Sequence, residues 1–138
     1  MELNDLHRLA ETDPEGFREW TMAAVGARVT GLDEQEGTGI DGRITFQGNA
    51  EGTLETILLR VVPGKTKTSH IRDLRGAMEQ EKTALGALVT MDEPTESILA
   101  EAAESGLYEH PAIGEQYPRV QVIRAIDLIA GVSIQLPR

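Results

Sequence analysis

A mixed α/β fold, with one central sheet flanked by helices on both faces, is the class that the 138-residue sequence predicts. Three observations lead to it. Strand-like and helix-like segments alternate in the order helix, strand, strand, helix, strand, helix, strand, helix. Leu54–Val62 is apolar on most of both its faces, as a strand covered on both sides must be. Turn and cap residues fall between these segments rather than inside them, at Asp13-Pro14, Gly48–Gly52, Pro63-Gly64, Glu93-Pro94 and Gly106.

The elements follow in chain order. Met1–Thr12 is acidic and amphipathic, and reads as an arm or a short separate helix ahead of one domain spanning residues 13–138. Asp13-Pro14-Glu15 opens a helix with a capping carboxylate, a proline at the first helical position and an acid in the first turn. Phe17, Trp20, Met22, Ala24 and Val25 supply its apolar side up to Gly26. Gly31–Gly42 is a loop rich in Gly, Asp and Glu. Gly42–Gln47 alternates as a short strand, with Ile44 and Phe46 on one side. Leu54–Val62 is the central strand, which Pro63-Gly64 ends. Ser69 is placed to cap a helix running to about Thr83, with Ile71, Leu74 and Met78 facing inward. Leu85–Met91 reads as another buried strand, and Glu93-Pro94-Thr95 opens a helix to about Ser105 with Gly106 at its end. Val120–Ile123 is a strand, Ala125–Ala130 a short helix, and Val132–Leu136 a last extended piece.

Composition narrows the chemistry. The absence of Cys excludes disulfides, thiolate zinc sites and cysteine nucleophiles. No apolar run approaches the ~18 residues of a membrane span, and the acidic N-terminus is unlike a signal peptide, so a cytoplasmic protein with no membrane partner is expected. The formal net charge of −10 opposes nucleic acid on average. Lys65, Lys67, Arg72 and Arg75 nevertheless lie within eleven residues and form a local basic stretch. His7, His70 and His110 are far apart and lack helical i, i+4 partners, which argues against a metal centre. His70 follows the end of the central strand closely enough to be noted.

The stretch carrying the chemistry is Gly39-Ile40-Asp41-Gly42, read together with the end of the central strand, Arg60-Val61-Val62-Pro63-Gly64. A metal-dependent nuclease needs a carboxylate for its cation and a lysine to steady the attacking water or the developing phosphate charge. Asp41 is the candidate carboxylate. Taken alone, it is more simply the turn aspartate that bonds its own backbone, the usual role of Asp between glycines. Glu19 on the first helix is a candidate second carboxylate, and more simply a solvated helix residue.

The order of segments resembles the PD-(D/E)XK restriction-endonuclease-like superfamily, and more closely its Mrr-like domain, the type associated with DNA methyltransferases. The resemblance runs from about Asp13 to Pro137. It rests on Phe17-Arg18-Glu19-Trp20 with Val25-Gly26-Ala27-Arg28, on Gly39-Ile40-Asp41-Gly42, and on Ile71-Arg72-Asp73-Leu74-Arg75-Gly76. Glu93-Pro94-Thr95, Glu101-Ala102-Ala103, Gly106-Leu107-Tyr108 and Tyr117-Pro118-Arg119-Val120-Gln121 follow in register. What it implies is a restriction-endonuclease-like core with Asp41 as metal ligand, at a site where Mg²⁺ would bind weakly.

The chain departs from the family where chemistry is concentrated. Arg60 stands where a polar ligand is expected, and Val62 stands where the lysine is expected. A guanidinium at position 60 repels a nearby dication, and Val62 can neither orient water nor stabilise phosphate charge. We therefore expect an Arg60–Asp41 ion pair in the metal's place. Lys65 is the candidate for a relocated catalytic lysine, with Lys67 a further candidate and Lys82 a more distant one. Lys65, Lys67, Arg72 and Arg75 lie where the family's DNA groove would run. Three functional readings follow. The first is a degenerate nuclease of restriction-modification or defence, a pseudoenzyme acting through DNA or a partner. The second is an active Mg²⁺-dependent endonuclease using Lys65, and the third is a protein-interaction module, which includes a homodimer.

Overall fold

The computed structural model describes residues 2–26, 28–29, 40–48, 53–111 and 113–135. The acidic loop with Asp33, Glu34 and Glu36, most of the 48–52 turn and the end of the last extended piece at Leu136 lie outside the described residues.

Helix α1 (Leu3–Thr12) runs into α2 (Pro14–Val25), followed by β1 (Arg28–Val29), β2 (Gly42–Gln47) and β3 (Leu54–Val62). Then come α3 (Thr68–Glu81), β4 (Leu85–Thr90), α4 (Glu96–Ala103), β5 (Leu107–Glu109), β6 (Gln116–Pro118), β7 (Val120–Arg124) and α5 (Ala125–Ile129). The main sheet has the strand order β1-β2-β3-β4-β7, and β5 and β6 form a separate two-stranded ribbon. β1, β2 and β3 pair antiparallel, whereas β3, β4 and β7 pair parallel. The sheet is mixed and helices cover both faces, as the sequence predicts.

Local chemistry explains the boundaries. Asp13 accepts the Gly16 N–H at 3.1 Å and Pro14 takes the first helical position, so α2 starts where the sequence indicates. Gly26 ends it at φ 74°, a left-handed conformation that glycine adopts without strain. Helix α3 differs from expectation. It begins at Thr68 with Lys67 in the cap position, and Ser69 lies inside the first turn. The Lys67 N–H donates to Nδ1 of His70 at 3.0 Å, so an imidazole closes this end instead of a serine hydroxyl. For α4, the Thr95 hydroxyl accepts the Ile98 N–H at 3.3 Å.

Two cores sandwich the sheet. One gathers Leu6 and Ala10 of α1, Phe17 and Met22 of α2, Ile57, Leu59 and Val61 of β3, and Leu85, Ala87 and Val89 of β4. The first twelve residues therefore contribute a helix that packs into the main body. The second core gathers Leu58 and Val62 of β3 with Ile71, Leu74 and Met78 of α3, Leu88 of β4, and Ile98 and Ala102 of α4. Gly86 permits the close approach on this side, since a Cβ there would stand 2.5 Å from the Met78 sulfur and 3.2 Å from Leu74 Cγ. The ribbon joins the first core, with Tyr108 meeting Phe46 edge-on at 6.1 Å between ring centroids.

Candidate functional site

Asp41 immediately precedes β2, and Gly42 pairs with Leu59 across the antiparallel ladder. The Asp41 N–H donates to the Leu59 carbonyl at 2.7 Å, and Oδ2 accepts the Val61 N–H at 2.6 Å. The carboxylate thus supplies a further rung where the β2–β3 ladder ends. Its other oxygen, Oδ1, stands 3.2 Å from Nε of Arg18 on α2. Arg18 also holds Oε1 of Glu15 at 2.6 Å through Nη1. The Arg18 Nε lacks a well-aligned hydrogen bond, so its contact with Asp41 acts through charge and proximity rather than direction.

The Asp41 side chain is 12% exposed. Burial pushes its carboxyl above the ordinary aspartate range. The Val61 N–H and the Arg18 and Arg60 guanidinia pull the other way without cancelling that push. The expected Arg60–Asp41 ion pair is therefore corrected: Arg18 is the partner. Arg60 lies close enough for its charge to act on Asp41, yet among the described residues it forms no salt bridge. The reason is geometric, because the carboxylate is turned onto the Val61 N–H and toward α2.

The remaining sequence candidates are dispersed. Val62 is 5% exposed and belongs to the core against α3, so the position where the resemblance leads one to expect a lysine is filled by packing. Lys65 and Lys67 are exposed on the connection from β3 to α3, with buried Thr66 between them. Glu19 is exposed on α2, and it is its neighbour Arg18 that reaches the site. Arg72 and Arg75 both turn to Glu101 of α4, at 2.7 and 3.6 Å. His70 is brought to the site: burial lowers its pKa, and the nearby Arg60 charge lowers it further. Its Nδ1 is already occupied by the Lys67 N–H.

Sequence reasoning missed Arg18. Its one local signal is the i, i+3 spacing to Glu15, which fixes the guanidinium on α2 but does not show that the helix lies over Asp41.

The donor set is poorly suited to a divalent cation. Mg²⁺ requires oxygen ligands in near-octahedral array. Here one carboxylate has both oxygens engaged, and a dication would sit between two guanidinia. Among the described residues no group of three or more His, Asp or Glu side chains is placed to hold a metal.

Comparison with known proteins agrees with this geometry. The model of a family described as NACHT-associated inactive Restriction Endonuclease 1 matches residues 14–130. Among solved structures, the chain is similar to the DNA modification-dependent restriction endonuclease AspBHI, with a TM-score of 0.64 at 17% sequence identity. That match covers 94% of this chain and 35% of the other, so the chain spans about a third of that enzyme's length. At such identity the likeness shows the fold. No curated protein matches the chain.

Proposed function

The chain belongs to the family of NACHT-associated inactive restriction endonucleases, and on that footing we propose that it binds DNA without cutting it, as the recognition module of a NACHT-associated defence protein. The carrying observation is that both Asp41 oxygens are engaged, one by the Val61 N–H and one by Arg18. With Val62 packed into the core, the site lacks both a free metal ligand and a lysine in the strand. Binding is a separate matter from cleavage. Lys65 and Lys67 are exposed beside the site, where an Mrr-like domain would meet the DNA backbone, and phosphate contacts need only cationic donors. The net charge of −10 makes this binding weak and sensitive to salt. A cytoplasmic location is part of the same reading.

The test uses plasmid DNA with Mg²⁺ or Mn²⁺, beside an Asp41→Ala control. No cleavage is expected from either protein. Cleavage by the wild type that Asp41→Ala abolishes would overturn the reading in favour of an endonuclease with Lys65 as its lysine. DNA retention in a gel-shift assay is expected at low salt, falling steeply as salt rises. Absence of retention at low salt would favour a protein-interaction module, a reading to which exposed Leu99, Leu107 and Val132 also lend support.

A further inference from the structure

Arg60 differs from the other partly buried arginines among the described residues. Arg18 meets Glu15 and Asp41, Arg43 meets Glu81, Arg75 meets Glu101, and Arg124 meets Glu93 and Asp127. Arg60 has no carboxylate partner, and its Nε is closed to solvent with nothing to donate to. A charge without a direct ion pair in a partly dry site is unfavourable, and a buried donor without an acceptor adds to that cost. Two further buried polar atoms without a partner lie at the same end of β3. Thr90 is level with Val62 on the neighbouring strand, fully buried, and Thr66 lies on the connection to α3 at 7% exposure. His70, in the first turn of α3, lies near enough for the Arg60 charge to act on it.

We propose that this cluster is an oxyanion site in which the Arg60 guanidinium, rather than a metal ion, receives a phosphoryl group, with the Thr66 and Thr90 hydroxyls beside it. The inference rests on the DNA-binding reading for the source of the phosphate but not for the site itself. A guanidinium offers parallel N–H donors that match two phosphate oxygens, and it needs no metal to do so. The opposing charges are Asp41, which Arg18 already engages, and Asp73 near His70. Lys65 and Lys67 at the rim outnumber what remains. Substitution of a metal ligand by arginine would thus keep phosphate recognition while removing the means of hydrolysis.

The experiment is an NMR titration of the His70 imidazole with inorganic phosphate in the presence of a chelator, on the wild type, Arg60→Gln and Arg60→Lys. Expected is binding by the wild type with a rise in the His70 pKa as phosphate offsets the Arg60 charge. Arg60→Gln should weaken binding by about tenfold or more, the scale of one charge-assisted hydrogen bond, and Arg60→Lys should retain part of it. Equal binding by wild type and Arg60→Gln, or none by the wild type, overturns the proposal. A short DNA duplex added to the phosphate-bound protein separates the two claims. If it displaces phosphate, the backbone is the source and both stand. If phosphate binds through Arg60 but the duplex does not, the oxyanion site stands and the DNA reading falls. Duplex binding indifferent to Arg60→Gln leaves the DNA reading and overturns the DNA backbone as the source of this site's phosphate.

Discussion

β3 presents one face to each core, and the two faces differ at a single position. Toward α1 and α2 it offers Ile57, Leu59 and Val61, each closed or nearly closed to solvent. Toward α3 and α4 it offers Leu58 and Val62 with Arg60 between them. From Ile57 to Val61 the first face is continuous hydrocarbon, and its burial follows from area alone. The second is interrupted at Arg60, where the resemblance leads one to expect a metal ligand, and Val62 belongs to the packing while Arg60 does not. The difference separates the part of the strand that keeps the fold together from the part that carries a charge into it.

The apolar face should give the largest effect when broken. Leu59 is fully buried beside Ile57 and Val61, so Leu59→Ala removes transfer energy and leaves a cavity costing about 2–5 kcal/mol. Urea denaturation measures it. A loss below about 1 kcal/mol would mean that this core collapses around the gap and is not the rigid side of the strand.

The interrupted face is sharpened by filling rather than emptying. Gly86 lies level with Leu58 on β4, beneath Leu74 and Met78 of α3. Gly86→Ala would force those side chains aside, at about 1–3 kcal/mol. The Met78 thioether is flexible, which holds the expectation to the lower end of that range. An unchanged denaturation midpoint would show that α3 shifts outward freely, and that the core around Arg60 is looser than the other.

The contrast between the faces also explains what was legible beforehand. Strand β3 has the bounds the sequence predicts because its apolar run is long and is closed by Pro63-Gly64, both local signals. Helix α2 was legible for the same reason, through Asp13, Pro14 and Gly26. The ribbon of β5 and β6 was not: Leu107–Glu109 and Gln116–Pro118 are three residues each, too short for alternation to register. At the site, Asp41, Arg60 and Val62 could be singled out from sequence, because the family resemblance marks those positions along the chain. The Asp41 partner could not. Arg18 and Arg60 are equally cationic, and the choice between them depends on the Val61 N–H turning the carboxylate toward α2, a tertiary fact with no local trace.

That choice leads to the subtlest expected effect. Because burial holds the Asp41 pKa above its value in the unfolded chain, the folded state takes up a proton there more readily than the unfolded state does. The contribution of Asp41 to stability is then fully present below the unfolded pKa and is lost as pH rises through the raised folded value. Once ionised, the buried carboxylate is a net burden on the folded state despite Arg18 and the Val61 N–H. Asp41→Asn keeps an oxygen to accept that N–H and removes the buried charge. It should therefore equal or exceed the wild type in stability at pH 7, and the wild type should gain on it as pH falls toward 4. The difference between the two proteins' urea midpoints at these pH values reads the effect, since other titrating groups cancel. A wild type that instead loses ground on acidification would show that Arg18 and the backbone outweigh burial. Asp41 would then belong with the scaffold, as the residue that extends the β2–β3 ladder onto the Val61 N–H, and Arg60 alone would mark the interruption.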